Sequence, residues 1–404
     1  MSDPHIIFFE DLRENFLPLA WTRPVCELRV GHFTIREKWE KWLNCGSTVL
    51  TADHLQSKWN FKPEKGKQNF WINSRVLPSA ELVAEILKLS KGEALIKGES
   101  VVAMNNGDDI SKVNFGEKDH LTNDISIRRS DASCIILHRL HDIFLQNGKA
   151  ITEDLHIVND QKNPLPGKFN LKIGDHPLII GKNLNAECVI FNTTKGPIII
   201  GDDVELMEGS MLRGPLSIGD HAVVKMGAKI YGDTTIGPGC KVGGEISNSV
   251  FHSNSNKSHD GFIGNSVIGA WVNLGADTNC SNLKNNYGKI SVYNYAIGGE
   301  EETGLQFHGC IIGDHVKCGI NTMLNTGTVI GVAANIFGSG FPPKFLPDFC
   351  WGGAEGLTET EIEKAIENAK RMMSRRGLDD VGADMEILKK IHEATAILRK
   401  STVK

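Results

Sequence analysis

An aliphatic residue followed by glycine returns repeatedly along the chain between Ile173 and about Gly338. Such pairs begin at residues 173, 180, 200, 218, 236, 242, 263, 268, 274, 312 and 330. Several are six or eighteen residues apart, a spacing that an α-helix with its period of 3.6 residues does not produce. Hexapeptide repeats form triangular coils of short strands, with aliphatic side chains inside and small residues at the corners. The pattern therefore predicts a left-handed parallel β-helix over residues 170–340.

Before this repeat, short apolar runs alternate with amphipathic segments, which is typical of an α/β sandwich. Strands are predicted at residues 5–9, 70–73 and 134–137, and helices at residues 34–43 and 79–89. The sequence Asn-Pro-Leu-Pro-Gly at residues 163–167 has the composition of a linker. We therefore expect a separate α/β domain over residues 1–165.

After the repeat, Pro342 and Pro343 end the coils, and residues 341–404 are predicted to cap the solenoid and to form helices. Thr358 and Glu361 have the spacing of a capping box, which predicts a helix from this point to about Arg376. A second helix is predicted at residues 385–398.

Composition excludes several classes of function. The net charge is -5, and the 44 basic and 49 acidic residues are interspersed, so neither nucleic acid nor a membrane is an expected partner. The nine cysteines are scattered without a C-x-x-C motif, which favours reduced thiols and gives no metal site. No apolar run approaches the ~18 residues that a membrane span needs, and the first ten residues lack the basic start of a signal peptide. We expect a cytoplasmic protein.

The loop after the first strand has the spacing of a known motif. Pro18-Leu19 and Pro24 stand as in Pro-Leu-Thr-x-x-x-Pro-Lys, and in this respect the first domain resembles the sugar-nucleotidyltransferase family. Residues 10–15, Glu-Asp-Leu-Arg-Glu-Asn, replace the family's glycine-rich phosphate loop, and Val25 replaces its lysine. The resemblance also places Ser74 where the family has a Mg²⁺-binding aspartate.

Two roles for this domain stay open. It is either a diverged transferase that uses a nucleoside triphosphate with Mg²⁺, or a domain that binds a sugar or nucleotide or only supports the fold. Arg13 and Arg23 are candidate phosphate ligands, because guanidinium groups suit phosphate oxygens; the alternative for each is an ion-paired arginine. Arg23 is the stronger candidate, since prolines flank it near the edge of the sheet where ligands bind in α/β folds.

The hexapeptide signal lapses at two places, where we expect the chemistry of the solenoid, and at the second a loop is expected to leave the coil. Residues 244–262 are rich in Ser, Asn and His, and residues 277–306 hold four asparagines around Lys284. Around these breaks the chain closely resembles the acetyltransferase half of the bifunctional N-acetylglucosamine-1-phosphate uridyltransferase/glucosamine-1-phosphate acetyltransferase family. The matching residues are His259, Gly264, Asn273, Gly275, Ala276, Thr278 and Asn282.

The resemblance implies a role for several of these residues. His259 would be the general base, and Glu245 falls where the family has a glutamate near the sugar. Asn273 and Asn282 would contact the amino sugar. The turn with Gly275 and Ala276 would line the groove for acetyl-CoA.

The chemistry of the reaction requires the same types of residue. Acetyl transfer to an amine needs a base that works near neutral pH, and histidine is the side chain suited to this. Ser247 and Phe262 replace a lysine and a tyrosine of the family. Recognition of the sugar phosphate then falls to the basic residues near the motif, unless they are simply solvated; these candidates are Arg213, Lys225 and Lys284.

These features predict a homotrimeric acetyltransferase of UDP-N-acetylglucosamine-type synthesis, acting on a sugar phosphate with acetyl-CoA as the donor. Glucosamine 1-phosphate or a related amino sugar is the expected acceptor. One alternative is a sugar-1-phosphate nucleotidyltransferase that uses the β-helix to form trimers. The other is a non-catalytic scaffold that binds a sugar nucleotide.

Overall fold

The N-terminal part of the chain is a mixed sheet with helices packed against it; the computed structural model describes residues 4–62, 64, 67–106, 125–158 and 163–402. Its strands are β1 Pro4–Phe9, β2 Ser47–Val49, β3 Gln68–Asn73, β4 Glu93–Lys97, β5 Ser100–Asn105 and β6 Ser126–Arg129. Its helices are α1 Ile35–Leu43, α2 Ala80–Ile86 and α3 Leu140–Glu153. The strand order is β2-β1-β3-β5-β4-β6, and β1 lies parallel to both β2 and β3.

The apolar runs form the buried strands of this sheet, as their composition predicts. Residues Ile6 to Phe9 of β1 are at most 2% exposed, which is typical of a strand covered on both faces. The predicted strand at residues 134–137 is wrong. Ile136 forms only an isolated bridge with Val76, because the residues beside it, 75–77, follow the turn after β3 and are not themselves a strand.

The repeat folds into a parallel β-solenoid with three faces, which the chain visits in the order 1, 2, 3. Face 1 contains β7 Leu171–Ile173, β10 Ile190–Asn192, β13 Met211–Arg213, β16 Lys229–Ile230, β19 Glu245–Ser247, β22 Phe262–Gly264, β25 Asn279–Cys280 and β30 Met323–Leu324. Face 2 contains β8 Leu178–Ile180, β11 Ile198–Ile200, β14 Leu216–Ile218, β17 Thr234–Ile236, β20 Val250–Phe251, β23 Val267–Ile268, β28 Cys310–Ile312, β31 Thr328–Ile330 and β33 Phe345–Leu346. Face 3 contains β9 Asn185–Ala186, β12 Glu205–Leu206, β15 Val223–Val224, β18 Lys241–Val242, β21 Asn256–Lys257, β24 Asn273–Leu274, β29 Lys317–Cys318, β32 Asn335–Ile336, β34 Cys350–Gly353 and β35 Gly356–Glu359.

The first predicted break does not leave the coil. Residues 244–262 form β19, β20 and β21 and reach β22. The hexapeptide signal fades there because the coil is shorter: Thr235 pairs with Val250, fifteen residues on, whereas Leu216 pairs with Thr234, eighteen residues on. The lapse of the signal at this place therefore marks a shortened coil and not an excursion.

The second break is a true excursion from the coil. Val267 pairs with Ile311, and most of the chain between them leaves the solenoid. This excursion contains an antiparallel hairpin of β26 Ser291–Asn294 and β27 Gly299–Glu302. Arg139 at the start of α3 donates to the carboxylate of Glu301 at 2.8 Å, so the hairpin is fixed against the N-terminal domain.

The C-terminal segment adds helices α4 Ile362–Ser374, α5 Gly382–Ala394 and α6 Ala396–Thr402. The predicted capping box is wrong, because Thr358 lies in β35 and pairs with Trp351. The helix starts later, with Glu361 at its N-cap. Helices α4 and α5 cover the corner between faces 2 and 3, where Trp271 and Phe349 pack with them.

The N-terminal domain sits on face 2 of the solenoid. Outward residues of face 2 share one apolar core with α3; these are Val250, Val267, Ile311 and Val329, which join Ile143 and Phe144. Thr235 donates to the carbonyl oxygen of Gly31 at 3.0 Å, and Asn147 donates to that of Asp233 at 2.9 Å. Face 2 is therefore the surface on which the two parts of the chain are joined.

The predicted architecture is confirmed: an α/β N-terminal domain, a parallel solenoid of hexapeptide repeats and C-terminal helices occur in this order. The exact domain boundaries stay predictions. Within the described ranges, no helix is long and apolar enough to cross a bilayer.

Candidate functional site

Part of the predicted acyltransferase site gathers at the corner of the solenoid where face 3 leads into face 1, here called the His259 corner. Its turns stack one above the other in successive coils. Glu245 N–H donates to Gly261 O at 3.1 Å, and Asp277 N–H donates to Asp260 O at 3.0 Å. His259 is exposed between these turns.

Five predicted residues belong to this corner. Lys225 lies two coils before His259, and Glu245 begins the face 1 strand that leaves the corner one coil before it. The turn of Gly275 and Ala276 follows one coil after it, where Gly275 N–H donates to Cys318 O at 3.0 Å. Gly275 is required at its place, because a β-carbon would lie 2.6 Å from the backbone of Gly319. A base, a carboxylate and a glycine turn thus line one edge of the solenoid.

A buried lysine fixes the loop that carries His259. The inward position of face 3 is apolar in neighbouring coils, with Val242 before and Leu274 after, but Lys257 occupies it in this coil. The Lys257 ammonium donates to the carbonyl oxygens of His259 at 2.5 Å and Asp260 at 2.6 Å. Burial lowers the pKa of Lys257 to about 8. The ammonium therefore provides hydrogen bonds to two carbonyl oxygens of the turn that carries His259.

Other predicted residues lie elsewhere. Asn282 is at the far end of face 1, where its amide donates to Asn265 Oδ1 at 2.8 Å. Lys284 lies in the excursion, with its ammonium 2.5 Å from Lys289 O. Asn273 is exposed on face 3, beside Asn256 at 3.5 Å. Asn282 and Lys284 therefore lie beyond the opposite end of face 1 from the His259 corner, whereas Asn273 lies on face 3, two residues before the turn of Gly275.

Arg213 lines a separate shallow cleft of about 320 Å³ on face 1. Met211, Lys229 and Tyr231 form other walls of this cleft. It lies on coils that precede the one with His259, so Arg213 is also apart from the His259 corner.

At the edge of the N-terminal sheet, charged side chains pair with one another. Glu10 accepts from Val25 N–H and from the Thr51 hydroxyl, both at 2.6 Å, and burial raises the pKa of Glu10. Asp11 forms a two-point ion pair with Arg75, with Nη2 to Oδ2 at 2.7 Å. These contacts occupy the place where the resemblance puts a phosphate loop. Ser74 beside them is buried, and its N–H donates to Phe9 O at 2.8 Å.

The two candidate phosphate arginines make internal contacts. Arg13 donates to Ala20 O and lies 3.4 Å from the Glu10 carboxylate. Arg23 pairs with Asp314 on the solenoid and lies 3.1 Å from His252 Nδ1. In the part of the chain that the structure describes, no group of three or more His, Cys, Asp or Glu side chains is arranged to hold a metal ion.

His252 and Asp314 were not predicted, although the repeat contains a signal for each. His252 stands where neighbouring coils have the corner glycines Gly237 and Gly269, since Phe251 pairs with both Ile236 and Ile268. Asp314 repeats the corner position of Asp220, whose carboxylate accepts from the N–H of the preceding coil. His252 thus breaks the corner pattern where the solenoid contacts Arg23 of the N-terminal domain, whereas Asp314 keeps the pattern and is distinguished only by its contact with Arg23.

Comparison with known proteins agrees with this division of the chain. Residues 6–163 match the model of a family described as sugar nucleotidyl transferase. A bifunctional sugar-1-phosphate nucleotidylyltransferase/acetyltransferase of Sulfurisphaera tokodaii is 36% identical over 145 residues, which are 35% of this chain and 36% of that protein. The bifunctional protein GlmU of a Synechococcus species is 26% identical over 270 residues, which are 61% of this chain and 51% of that protein. The chain thus spans about a third to a half of the length of these relatives.

Solved structures similar to this chain include acyltransferases. A UDP-N-acetylglucosamine acyltransferase, LpxA, from Bacteroides fragilis has 17% identity and a TM-score of 0.30, and the match covers 58% of this chain and 85% of that chain. A mutant of AntD, an N-acyltransferase from Bacillus cereus, in complex with dTDP and coenzyme A, has 14% identity and a TM-score of 0.25. The match covers 48% of this chain and 90% of that chain. The fold assignment itself rests on the strand pairing described above. The family match and the curated relatives agree with the predicted resemblance: residues 6–163 are similar to sugar nucleotidyl transferases, and the chain is similar to GlmU proteins at modest identity.

Proposed function

We propose that this protein is a sugar-phosphate acyltransferase that moves an acetyl group from acetyl-CoA to the amine of an amino sugar phosphate at the His259 corner. Glucosamine 1-phosphate or a closely related amino sugar is the proposed acceptor. The observation that carries the proposal is the exposed imidazole of His259, on a turn held by Lys257 and next to the strand of Glu245. The names of the curated relatives support the class of reaction.

In the proposed reaction, the amine lone pair attacks the thioester carbonyl carbon of acetyl-CoA. The C–N bond forms, the C–S bond breaks, and coenzyme A leaves as the thiol after taking up a proton. His259 accepts the proton that the attacking nitrogen loses, which is the role of a general base. Glu245 is proposed to orient the amine, and the glycine turn at Gly275 and Ala276 to admit the pantetheine arm of coenzyme A.

The site is proposed to be completed by a second copy of the chain. Asn282, Lys284 and Arg213 lie away from the His259 corner within one chain, so their proposed contact with its substrate is made across an interface. Face 2 is covered by the N-terminal domain, whereas face 1 exposes apolar side chains; these are Leu171, Ile190, Met211 and Met323. A homotrimer, formed by packing of the uncovered faces, is the proposed assembly. Light scattering of the purified protein tests it.

Nucleotidyl transfer by the N-terminal domain is the second candidate, and the family match over residues 6–163 favours it. The geometry at the sheet edge weakens it, because Asp11 is paired with Arg75 and Glu10 is bound by Val25 and Thr51. A Mg²⁺ ion bound there would need oxygen ligands that are free. If this activity exists, this edge of the sheet has to rearrange when the nucleotide binds.

Two assays on the full chain separate these possibilities. Release of free thiol from acetyl-CoA with glucosamine 1-phosphate supports acyl transfer. Release of pyrophosphate from UTP with Mg²⁺ and N-acetylglucosamine 1-phosphate supports nucleotidyl transfer. If neither product forms, the protein is a sugar-nucleotide-binding scaffold and the proposed function is wrong.

A further inference from the structure

A second cleft, of about 260 Å³, lies where the N-terminal domain, the solenoid and α5 meet. It is at the corner between faces 2 and 3, a different corner of the coil from that of His259. The N-terminal domain contributes Arg23 and Trp59, the solenoid contributes His252 and Asp314, and α5 contributes Asp384. All three parts of the chain therefore build its walls.

Three buried nitrogens of residues that line this cleft have no hydrogen-bond partner in the described part of the chain: Arg23 Nε, His252 Nε2 and His315 Nδ1. The geometry identifies the first two as donors. His252 is 2% exposed, and its Nδ1 lies 3.1 Å from Arg23 Nη1. A guanidinium only donates, so Nδ1 accepts and the ring proton is on Nε2. That Nε2–H and the Arg23 Nε–H have no hydrogen-bond partner. Since an unpaired buried donor is unfavourable, the cleft is suited to a molecule that accepts hydrogen bonds.

The state of the imidazoles agrees with this geometry. Burial, together with the charge of Arg23, holds the pKa of His252 well below its ordinary value. Burial also lowers the pKa of His315, on the adjacent coil, to about 4. Both rings are therefore neutral near pH 7, and they add no charge to the cleft.

Most ionic groups that line the cleft form pairs of opposite charge: Asp314 with Arg23, Asp384 with Lys58, and Glu37 with Arg29. The remaining lining carboxylate, Glu27, pairs with Arg36, which lies outside the lining. A charged ligand would gain attraction from one set of these groups and meet repulsion from the other. A neutral ligand avoids this, and its polar groups can use the remaining donor and acceptor sites of the paired ions.

We propose that this cleft binds an uncharged monosaccharide ring. Sugar hydroxyls both accept and donate, so they match the free N–H groups of His252 and Arg23 and the carboxylate of Asp384. Trp59, which is half-buried, offers an apolar ring face for the C–H groups of the sugar. The volume is slightly below the ~300–1,000 Å³ of common small-molecule sites, which suits one sugar ring better than a whole sugar nucleotide. Because three parts of the chain share the walls, the bound sugar would hold them together.

The test is titration of the full chain, followed by tryptophan fluorescence and calorimetry. The probes are glucose and N-acetylglucosamine as neutral sugars, inorganic phosphate as the anion and glucosamine as the cation. His252→Asn keeps an acceptor for Arg23 but removes the Nε2 donor. Trp59→Leu removes the ring, and circular dichroism checks its fold because Trp59 packs partly against the apolar cluster beneath α4 and α5. His221→Asn is the matched control, because His221 lies at the same corner of an earlier coil with 70% of its side chain exposed.

We expect saturable binding of a neutral sugar that is weakened tenfold or more in both cleft variants and unchanged in His221→Asn. Three results would overturn the proposal. One is no saturable binding of either neutral sugar up to about 50 mM, which corresponds to less than roughly 2 kcal/mol of affinity. The second is tighter binding of phosphate or glucosamine than of both neutral sugars. The third is unchanged sugar binding in the folded Trp59→Leu variant, since this would place the sugar elsewhere.

Discussion

The ammonium of Lys257, inside the solenoid, donates to the main-chain oxygen of His259 on its surface at 2.5 Å. This contact connects the apolar core of one coil to the proposed catalytic base. Lysines are rarely buried unless their charge is compensated, and here two carbonyl oxygens provide the compensation. Lys257 is thus a positioning residue for the turn, and it does not need to touch the substrate.

Replacing Lys257 by methionine is expected to lower kcat about tenfold or more while leaving the fold intact. Met fills the inward position with similar volume, but the His259 turn loses its anchor. Steady-state kinetics and thermal melting measure the two effects separately. Lys241→Met is the matched control, since Lys241 lies on the preceding coil and its side chain points outward. A Lys257→Met variant with kcat within twofold of the wild type would contradict this role.

The same variant is expected to change how stability depends on pH. The pKa of Lys257 falls from 10.5 to about 8 on burial, so between these values the unfolded chain binds more protons than the folded chain. The cost of burying the charge is then complete below pH 8 and disappears as the pH rises towards 10.5. The melting temperature of Lys257→Met relative to wild type should therefore decrease from pH 8 to pH 10. A constant difference would show that folding does not lower the pKa of Lys257.

Asp314 is expected to be a major link between the domains. Its carboxylate accepts from Ala270 N–H at 2.8 Å, from the Thr22 hydroxyl at 2.7 Å and from Arg23. Asp314→Ala leaves a nearly buried guanidinium without its partner, which costs about 3 kcal/mol or more. Urea denaturation measures this loss.

The control for Asp314 is Asp220, an exposed residue at the equivalent corner position that accepts from Asp202 N–H at 2.8 Å. Asp220→Ala removes one exposed hydrogen bond and no contact between domains, so it should cost only about 1 kcal/mol. Equal destabilisation by the two substitutions would show that the contact with Arg23 and Thr22 contributes nothing.

Asp348→Asn is expected to stabilise the protein at pH 8 but not at pH 4. Burial raises the pKa of Asp348 from 3.8 to about 6, so the folded chain binds more protons between these values. Its contribution to stability therefore falls as the pH rises through this range, by up to about 3 kcal/mol. The amide keeps an acceptor for Val332 N–H, which donates to Asp348 at 2.7 Å. Thermal melting of both proteins at the two pH values is the test, and an equal effect at both would contradict the shifted pKa.

The repeat could be predicted from the sequence because the same pattern of residues recurs in successive coils. Pairs such as Ile200-Gly201 and Ile218-Gly219 fix both the spacing and the inward residue. The register of inward residues could not be predicted beyond the place where the coil shortens to fifteen residues, before Val250. For that reason the inward orientation of Lys257 could not be predicted, although its neighbour His259 was identified by resemblance.

Other features depend on contacts that local patterns do not contain. The pair of Arg23 with Asp314 joins residues separated by 291 positions, and only the packing of two domains creates it. Thr358 has the local spacing of a capping box, but pairing with Trp351 draws it into a strand. Tertiary contacts override local preference in both cases.

The most direct test of the proposed function is the rate of thiol release from acetyl-CoA with glucosamine 1-phosphate, compared between the wild type and His259→Ala. His259 is exposed, so its replacement should leave the fold unchanged, as circular dichroism can verify. Removal of a general base lowers the rate by about 100-fold or more, and we predict a loss of kcat of this size. A wild-type rate that survives in His259→Ala to within twofold would contradict the assignment of His259 as the base.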